Sequence, residues 1–262
     1  MEIKEEVGII MDQKLRTKFL DRVKNALGRV SDSGFDVKKE QFFTNPELRY
    51  RDAMTDSIEN AVNLINEFEG NALNQGWNTY KVSDVSRARE VLENILNQIE
   101  CKSIVCTNEQ AVNLMQLDGL LSGRGIDICK MKSDDQINLD PNEKEQYFRS
   151  VAKIADVGIT GCDFAVAETG TVVVIPKTGV SRLVSLAPPV HVAIVFLGQV
   201  VRSLDELFAI RRYQIVSGSK NGYMNLISGP SRSGDIENIM IQGVHGPGDV
   251  HLILVEQGLP TE

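Results

Sequence analysis

No two of the four cysteines, at 101, 106, 129 and 162, form a Cys-x-x-Cys pair. Neither a ferredoxin-type cluster nor a disulfide framework is therefore expected within the chain, and any iron–sulfur chemistry must be carried by a partner. Basic residues are also scarce relative to acidic ones, 28 against 36, for a formal charge of −8. With no local Lys/Arg cluster, this leaves no electrostatic footprint for nucleic acid or an anionic membrane. Long apolar runs are missing too: the opening Met-Glu-Ile-Lys-Glu-Glu lacks the core of a signal peptide, and no stretch approaches a membrane span. A cytoplasmic location is the expectation. What is present, 42% hydrophobic and 24% charged residues over 262 positions, suits one α/β core with a small N-terminal lobe.

The first half reads mainly as helix. Leu15, Phe19, Val23 and Leu27 recur at helical spacing, and Ile58, Ala61, Val62, Ile65, Phe68 and Ala72 trace a second stripe, with a polar connection between them closed by Pro46. Val91, Leu92, Ile95, Leu96 and Ile99 mark a third helix, followed at once by a strand at Ser103–Thr107. Asp140-Pro-Asn-Glu143 opens a further helix running to about Ala155, with Tyr147, Phe148, Val151 and Ala155 inward. Asp156–Thr160, Thr171–Ile175 and Val192–Phe196 are continuous apolar runs, the mark of strands buried on both faces of a parallel sheet. Ser203-Leu-Asp-Glu206 is a capping box for a helix with Leu204, Leu207 and Phe208 on its apolar side, and His251–Val255 reads as the last strand. The expected fold is a layered, mostly parallel sheet flanked by helices, with a helical N-terminal extension over residues 1–50 and an α/β domain over 51–262.

Four glycine-bearing segments stand at strand ends, where loops of open α/β sheets gather ligands. In Ala167-Glu-Thr-Gly-Thr171, Thr169, Gly170 and Thr171 offer amides and hydroxyls to an anion, and Glu168 suits acid, base or nucleophile; a tight turn with Glu168 bound to backbone is the competing reading. In Ser185-Leu-Ala-Pro-Pro-Val-His191 the prolines hold His191 in a fixed orientation, at a cleft edge or as a buried hydrogen-bonding residue. Arg182 upstream is a clamp for carboxylate or phosphate, or an exposed salt bridge. The third segment, Ser228 to Glu237, reads as strand–loop–helix, placing Gly229, Ser231, Arg232, Ser233 and Asp235 around an anion, unless Ser233 or Asp235 only caps the helix. It is neither a P-loop nor a nucleophile elbow. The fourth, Gln242 to His251, is a constrained turn with His245 at its head and Gly246 beside it. His245, Asp249 and His251 are metal-ligand types, with Asp249 and His251 on one strand face, but no metal signature accompanies them; no metal is expected, and His245 is read as a proton or hydrogen-bond donor.

Asp156-Val-Gly-Ile-Thr160, Ala167-Glu-Thr-Gly-Thr171, Ser185 to His191, Gly229-Pro-Ser231 with Asp235-Ile-Glu237, and Gly243-Val-His-Gly-Pro-Gly248 occur in an order that closely resembles the lactate-utilization protein C (LUD-domain) family. The resemblance covers roughly Ala53 to Glu256. It implies a fold similar to the sugar-phosphate isomerase and CoA-transferase group, and a place in bacterial oxidation of L-lactate to pyruvate beside partners that carry iron–sulfur clusters. Where relatives carry Thr-Ala before Asp-Ile-Glu, this chain has Ser233-Gly234.

Three functions are compatible with these observations. One is a non-cluster component of a lactate-oxidizing system, binding a small anionic metabolite in the C-terminal loops, with Glu168 and His245 as catalytic candidates. The second is a free-standing enzyme or binding protein for a phosphorylated sugar, CoA ester or other anionic metabolite. The third is an interaction protein whose polar loops are only turns. Whether the chain is itself an enzyme is left open by its residues.

Overall fold

The computed structural model describes residues 17–19, 21–23, 45–131, 140–219, 222–234 and 240–260. Contacts divide the chain into two units, Met1–Thr44 and Asn45–Glu262. In the first, residues 17–19 and 21–23 are helical, with Phe19 and Val23 exposed; Leu15 and Leu27 lie outside the described residues.

The second unit begins with α1 (Pro46–Glu59), so position 50 falls inside a helix. Asn45 caps it, accepting from Leu48 N at 3.1 Å, and Pro46 occupies its first turn. The chain breaks at Asn60 before α2 (Ala61–Gln75). That break corrects the first part of the apolar stripe expected across the two, for Ile58 and Val62 are exposed; Ile65, Phe68 and Ala72 are buried as expected, and Leu64 joins them. Then follow β1 (Asn78–Val82), α3 (Val85–Gln98), β2 (Ser103–Cys106), two single-turn helices α4 (Gln110–Asn113) and α5 (Leu117–Leu120), and β3 (Asp127–Lys130). The expected capping box opens α6 (Pro141–Ile154): Glu143 N donates to Asp140 Oδ1 at 3.0 Å and Asp140 N to Glu143 Oε2 at 3.2 Å. On α6 Tyr147 is exposed rather than inward, while Ala152 is buried.

Beyond α6 come β4 (Val157–Thr160), β5 (Phe164–Val166), a 3-10 turn (Ala167–Thr169), β6 (Thr171–Val174), α7 (Leu183–Leu186), β7 (Val190–Leu197) and β8 (Val200–Val201). The chain continues as α8 (Leu204–Val216), β9 (Asn225–Ile227), β10 (Arg232–Gly234), β11 (Met240–Gln242) and β12 (Asp249–Gly258). Ser203 Oγ accepts from Glu206 N at 3.3 Å to cap α8, whose buried face is Leu207, Ala209 and Ile210; Phe208 is half exposed, against expectation.

Six strands form one wholly parallel sheet in the order β1-β12-β7-β4-β2-β3. Alternation along β7 splits its side chains between two cores: Val192, Ile194 and Phe196 meet α3 to α5, whereas Ala193 and Val195 meet α2 and a second sheet. That second sheet, β8-β5-β6-β9, is mixed, and it holds Thr171–Val174 in antiparallel pairing. The expectation that this run joins the parallel sheet is thus corrected. Its continuous apolar character has the same physical origin, because both faces are covered: by α2 and the large sheet on one side, and by α1 and α8 on the other.

A second correction concerns residues 228–242. Arg232–Gly234 pair antiparallel with Met240–Gln242 as a ribbon, where a helix start is expected from the sequence; Asp235 lies outside the described residues.

Candidate functional site

The third and fourth glycine segments meet above the N-terminal edge of the parallel sheet. Ser231 N donates to Pro247 O at 2.8 Å and Gly243 N to Ser231 O at 3.0 Å, locking the two turns together. Gly248 N in turn donates to Pro189 O at 3.1 Å, which brings in the proline segment before β7. A Cβ on Gly229, which has φ +100°, would stand 2.5 Å from Gln75 O at the end of α2, so only glycine permits this approach. Arg232 spends a guanidinium N–H on the same carbonyl at 2.6 Å, satisfying an end-of-helix acceptor. Gly246 packs against Ser231, and His245 is exposed at the turn's head.

A chain of hydroxyls links this cluster to the Glu-Thr-Gly-Thr segment: Thr169 to Thr171 at 2.7 Å, then Thr171 to Ser228 at 2.7 Å. Gly170, at φ +61°, lies so close to α2 that an added Cβ would meet Ala72 N at 2.5 Å. Glu168 belongs elsewhere. Its Oε1 accepts from Leu204 N at 2.8 Å and its own N–H donates to Arg202 O, so its carboxylate closes the first turn of α8. No hydrogen bond among the described residues joins it to His245. Beside that helix start, a cleft of about 340 Å³ opens between α1 and α8, lined by Arg49, Asp52, Asp56, Arg202 and Glu206. Arg202 grips Asp56 with two N–H groups at 2.8 and 3.0 Å.

The remaining candidates are dispersed. Arg182 is exposed and donates to Tyr223 OH at 3.3 Å, its guanidinium carbon 5.6 Å from the ring centre. Ser233 sits within the ribbon opposite Ile241. His191 is wholly buried on β7, not at a cleft edge, with Nε2 2.9 Å from Thr160 Oγ1. Burial, reinforced by His251, pushes its pKa down to about 3, so it is neutral. Among the described residues its Nδ1 and the neighbouring Trp77 Nε1 have no hydrogen-bond partner, and the two rings lie 6.0 Å apart. Asp249 and His251 do share a face, but His251 Nε2 meets Asp249 Oδ2 at 3.1 Å and Nδ1 meets Tyr80 OH at 3.2 Å. Both ring nitrogens are occupied, and among the described residues no group of three or more His, Cys, Asp and Glu is placed to hold a metal.

At the opposite, C-terminal edge lies a cluster absent from the sequence reading. Glu109 Oε2 accepts from Thr107 Oγ1 at 2.8 Å and Gly161 N at 3.0 Å; Asp163 accepts from Ile175 N at 2.7 Å and Lys177 Nζ at 2.8 Å. The available signal was position: Thr107-Asn-Glu109 and Gly161-Cys-Asp163 directly follow the apolar runs of β2 and β4, where open parallel sheets place ligands.

The fold itself resembles that of a solved structure. A crystal structure of a DUF162 family protein from Deinococcus radiodurans aligns with a TM-score of 0.50 at 19% identity, covering 75% of this chain and 98% of that one. The class is therefore a layered α/β protein with a largely parallel central sheet. The LUD domain family model matches residues 65–255, and the chain belongs to that family. Its relatives include lactate utilization protein C of Halalkalibacterium halodurans, 28% identical over 242 residues that span 92% of this chain and 97% of that protein. Lactate utilization protein C of Shouchella clausii is likewise 28% identical, over 93% of this chain and 98% of that protein. Lactate utilization protein B of Bacillus subtilis shares 30% identity over 50% of this chain but only 27% of its own length. Among the described residues, no helix is long and apolar enough to cross a membrane.

Proposed function

We propose that this protein is the non-cluster component of a lactate-utilization system, working beside iron–sulfur subunits and binding a small anionic metabolite at the joined turns Gly229–Arg232 and Gly243–Gly248. The observation that carries this reading is the near end-to-end match to lactate utilization protein C relatives, in contrast to the partial match to protein B. Division of labour is supported by the chain's own chemistry: burial pushes the Cys106 thiol up to about 12 and Cys101 up to about 11, so neither is a ready thiolate ligand. Thr169, Thr171, Ser231, Arg232 and the amide of Gly246 would supply the anion's donors, with His245 at the rim.

The test is affinity purification from the native host. Recovery of an iron–sulfur protein with the tagged chain, together with loss of growth on L-lactate on deletion, is the expected result. Normal growth on L-lactate in a deletion strain lacking any other lactate dehydrogenase overturns the proposal.

A second reading is a free-standing enzyme for a phosphorylated sugar or CoA ester; it rests on the isomerase and CoA-transferase kinship that the family resemblance implies, an argument by analogy. A thermal shift with such esters, in the absence of any partner, would select it.

A further inference from the structure

The parallel sheet changes direction between β2 and β4. From β2 the chain moves outward through α4 and α5 to β3 at the sheet edge; β4 then returns on the other side of β2, and β7, β12 and β1 lie beyond it, parallel to the rest but toward the opposite edge. The connections leave on opposite faces, since Ala111 and Val112 after β2 pack with α3 whereas Cys162 and Ala165 after β4 pack with α2. A crevice outside the carboxyl ends of two such strands is where open α/β sheets bind ligands.

Three segments converge there at contact distance. Gly161 follows β4, and a Cβ on it would stand 3.2 Å from Glu109 Oε2 and 3.1 Å from Ala111 Cβ; its amide donates to that carboxylate oxygen at 3.0 Å. Gly179, with φ +79°, follows β6 and is pinned by Asn108 N donating to its carbonyl at 2.8 Å. Lys177, on the same turn, reaches Asp163 Oδ1 at 2.8 Å and stands 3.9 Å from Glu109 Oε1.

The Glu109 carboxyl is unevenly engaged. Both short hydrogen bonds, from Thr107 and Gly161, fall on Oε2, and the contact to Oε1 is the ammonium at 3.9 Å, beyond hydrogen-bond length. One oxygen is fixed and the other is available for a proton. Lys177 has three N–H donors and gives one to Asp163. Half exposed, it has donors left for an anion. Cys162, between them in sequence, is no competitor as a nucleophile: full burial raises its thiol well above the ordinary value, and it leans on Gln199 Oε1 at 3.5 Å.

We propose that this crevice is a proton-transfer site for a small 2-oxo carboxylate, with Glu109 as the acid/base and Lys177 as the anion's partner. Glu109 Oε1 takes a proton from the carbon next to the substrate carbonyl; the C–H electron pair moves into the C–C bond, and the carbonyl pair moves onto oxygen as an enolate beside the Lys177 ammonium. Return of the proton to carbon restores the starting atoms, so no oxidant or second reactant enters. Asp163 is a positioning residue that holds Lys177. Burial pushes the Glu109 carboxyl above the usual carboxylate range, with the Thr107 hydrogen bond acting in the opposite sense, which brings its proton affinity closer to that useful near neutrality.

The experiment follows the methyl protons of pyruvate by proton NMR in deuterated buffer with the full chain. Washing-out of the methyl signal faster than in buffer is expected, falling about a hundredfold in Glu109→Gln, an amide that keeps an acceptor for Thr107 and Gly161. Line broadening measures binding: affinity is expected to persist in Glu109→Gln and to drop about tenfold in Lys177→Ala. Exchange at the buffer rate in the wild type, or equal exchange in wild type and Glu109→Gln, overturns the proposal. Because the readout needs no partner subunit, its failure leaves the lactate-utilization assignment standing, and failure of that assignment leaves this one standing.

Discussion

The two edges of the parallel sheet are built from different materials. At the N-terminal edge, the Ser231–Pro247, Gly243–Ser231 and Gly248–Pro189 contacts are backbone to backbone, and behind them lie the Thr169–Thr171–Ser228 hydroxyls and the neutral His191 ring, to which Arg232 and the Asp249–His251 pair add ionisable groups. At the C-terminal edge, the carboxylates of Glu109 and Asp163 each come within 4 Å of the Lys177 ammonium. Shape governs the first edge and protonation the second. Substitutions that add volume should therefore injure the first, and substitutions that change charge should alter the second.

The largest effect is expected where that division is least obvious, at His191 beneath the N-terminal edge. Its folded pKa near 3 lies below the unfolded value of 6.5, so between these values the unfolded chain binds more protons and stability falls as pH falls. By pH 3 the loss from this one group reaches on the order of 4 kcal/mol. Imidazole nitrogen NMR of the folded protein at pH 5 should show His191 neutral; an imidazolium there would break the assignment of a neutral ring beneath this edge.

Next in size is Gly170→Ala, which combines a left-handed backbone with a Cβ 2.5 Å from a main-chain atom of α2. A loss of about 3 kcal/mol in denaturant titration is expected. Gly161→Ala at the other edge is the matched comparison. Its φ is ordinary and its nearest neighbours, at 3.1 and 3.2 Å, are side-chain atoms, so about 1 kcal/mol or less is expected. Equal losses at the two glycines would erase the distinction between the edges.

Glu109→Gln should act through pH more than through packing. The raised folded pKa means the native state holds its proton more tightly than the unfolded chain, so stability falls as pH rises from the ordinary Glu value through the folded one. The variant lacks that slope and gains relative to wild type above it. Melting temperatures of both proteins from pH 4 to 8 test this, and parallel curves would show that burial of Glu109 carries no charge penalty.

The pattern of buried runs made the central strands legible, since Val157–Thr160 and Val192–Phe196 are apolar because helices and a second sheet cover both faces. The same signal misled at Thr171–Val174, because continuous burial reports covered faces and is silent on strand direction. β1 and β3 escaped notice: Asn-Thr-Tyr-Lys-Val and Asp-Ile-Cys-Lys are edge strands, half polar and short, and their pairing partners are distant in sequence. Among site residues, glycine segments signalled the turns at the N-terminal edge. Glu168 is a catalytic candidate by its sequence, with a tight turn bound to nearby backbone as the competing reading; the backbone partner it has, Leu204 N, lies 36 positions away and only the tertiary fold supplies it. Glu109 and Lys177 carry no motif; their relation exists only once β2, β4 and β6 deliver three loops to one crevice.

The smallest expected effect is the one that best separates architecture from ligand at the N-terminal edge. Arg232 is exposed, and its guanidinium donates at 2.6 Å to the carbonyl of Gln75. Water can replace that donor, so Arg232→Ala should cost under about 1 kcal/mol. If the guanidinium also helps to hold an anion, the variant loses the thermal shift given by inorganic phosphate or L-lactate while its unliganded melting temperature barely moves. Arg232→Lys, which keeps the charge but not the planar fork, then restores part of the shift. A shift unchanged in Arg232→Ala would reduce this residue to a cap on α2 and move the anion to the hydroxyl chain of Thr169, Thr171 and Ser228.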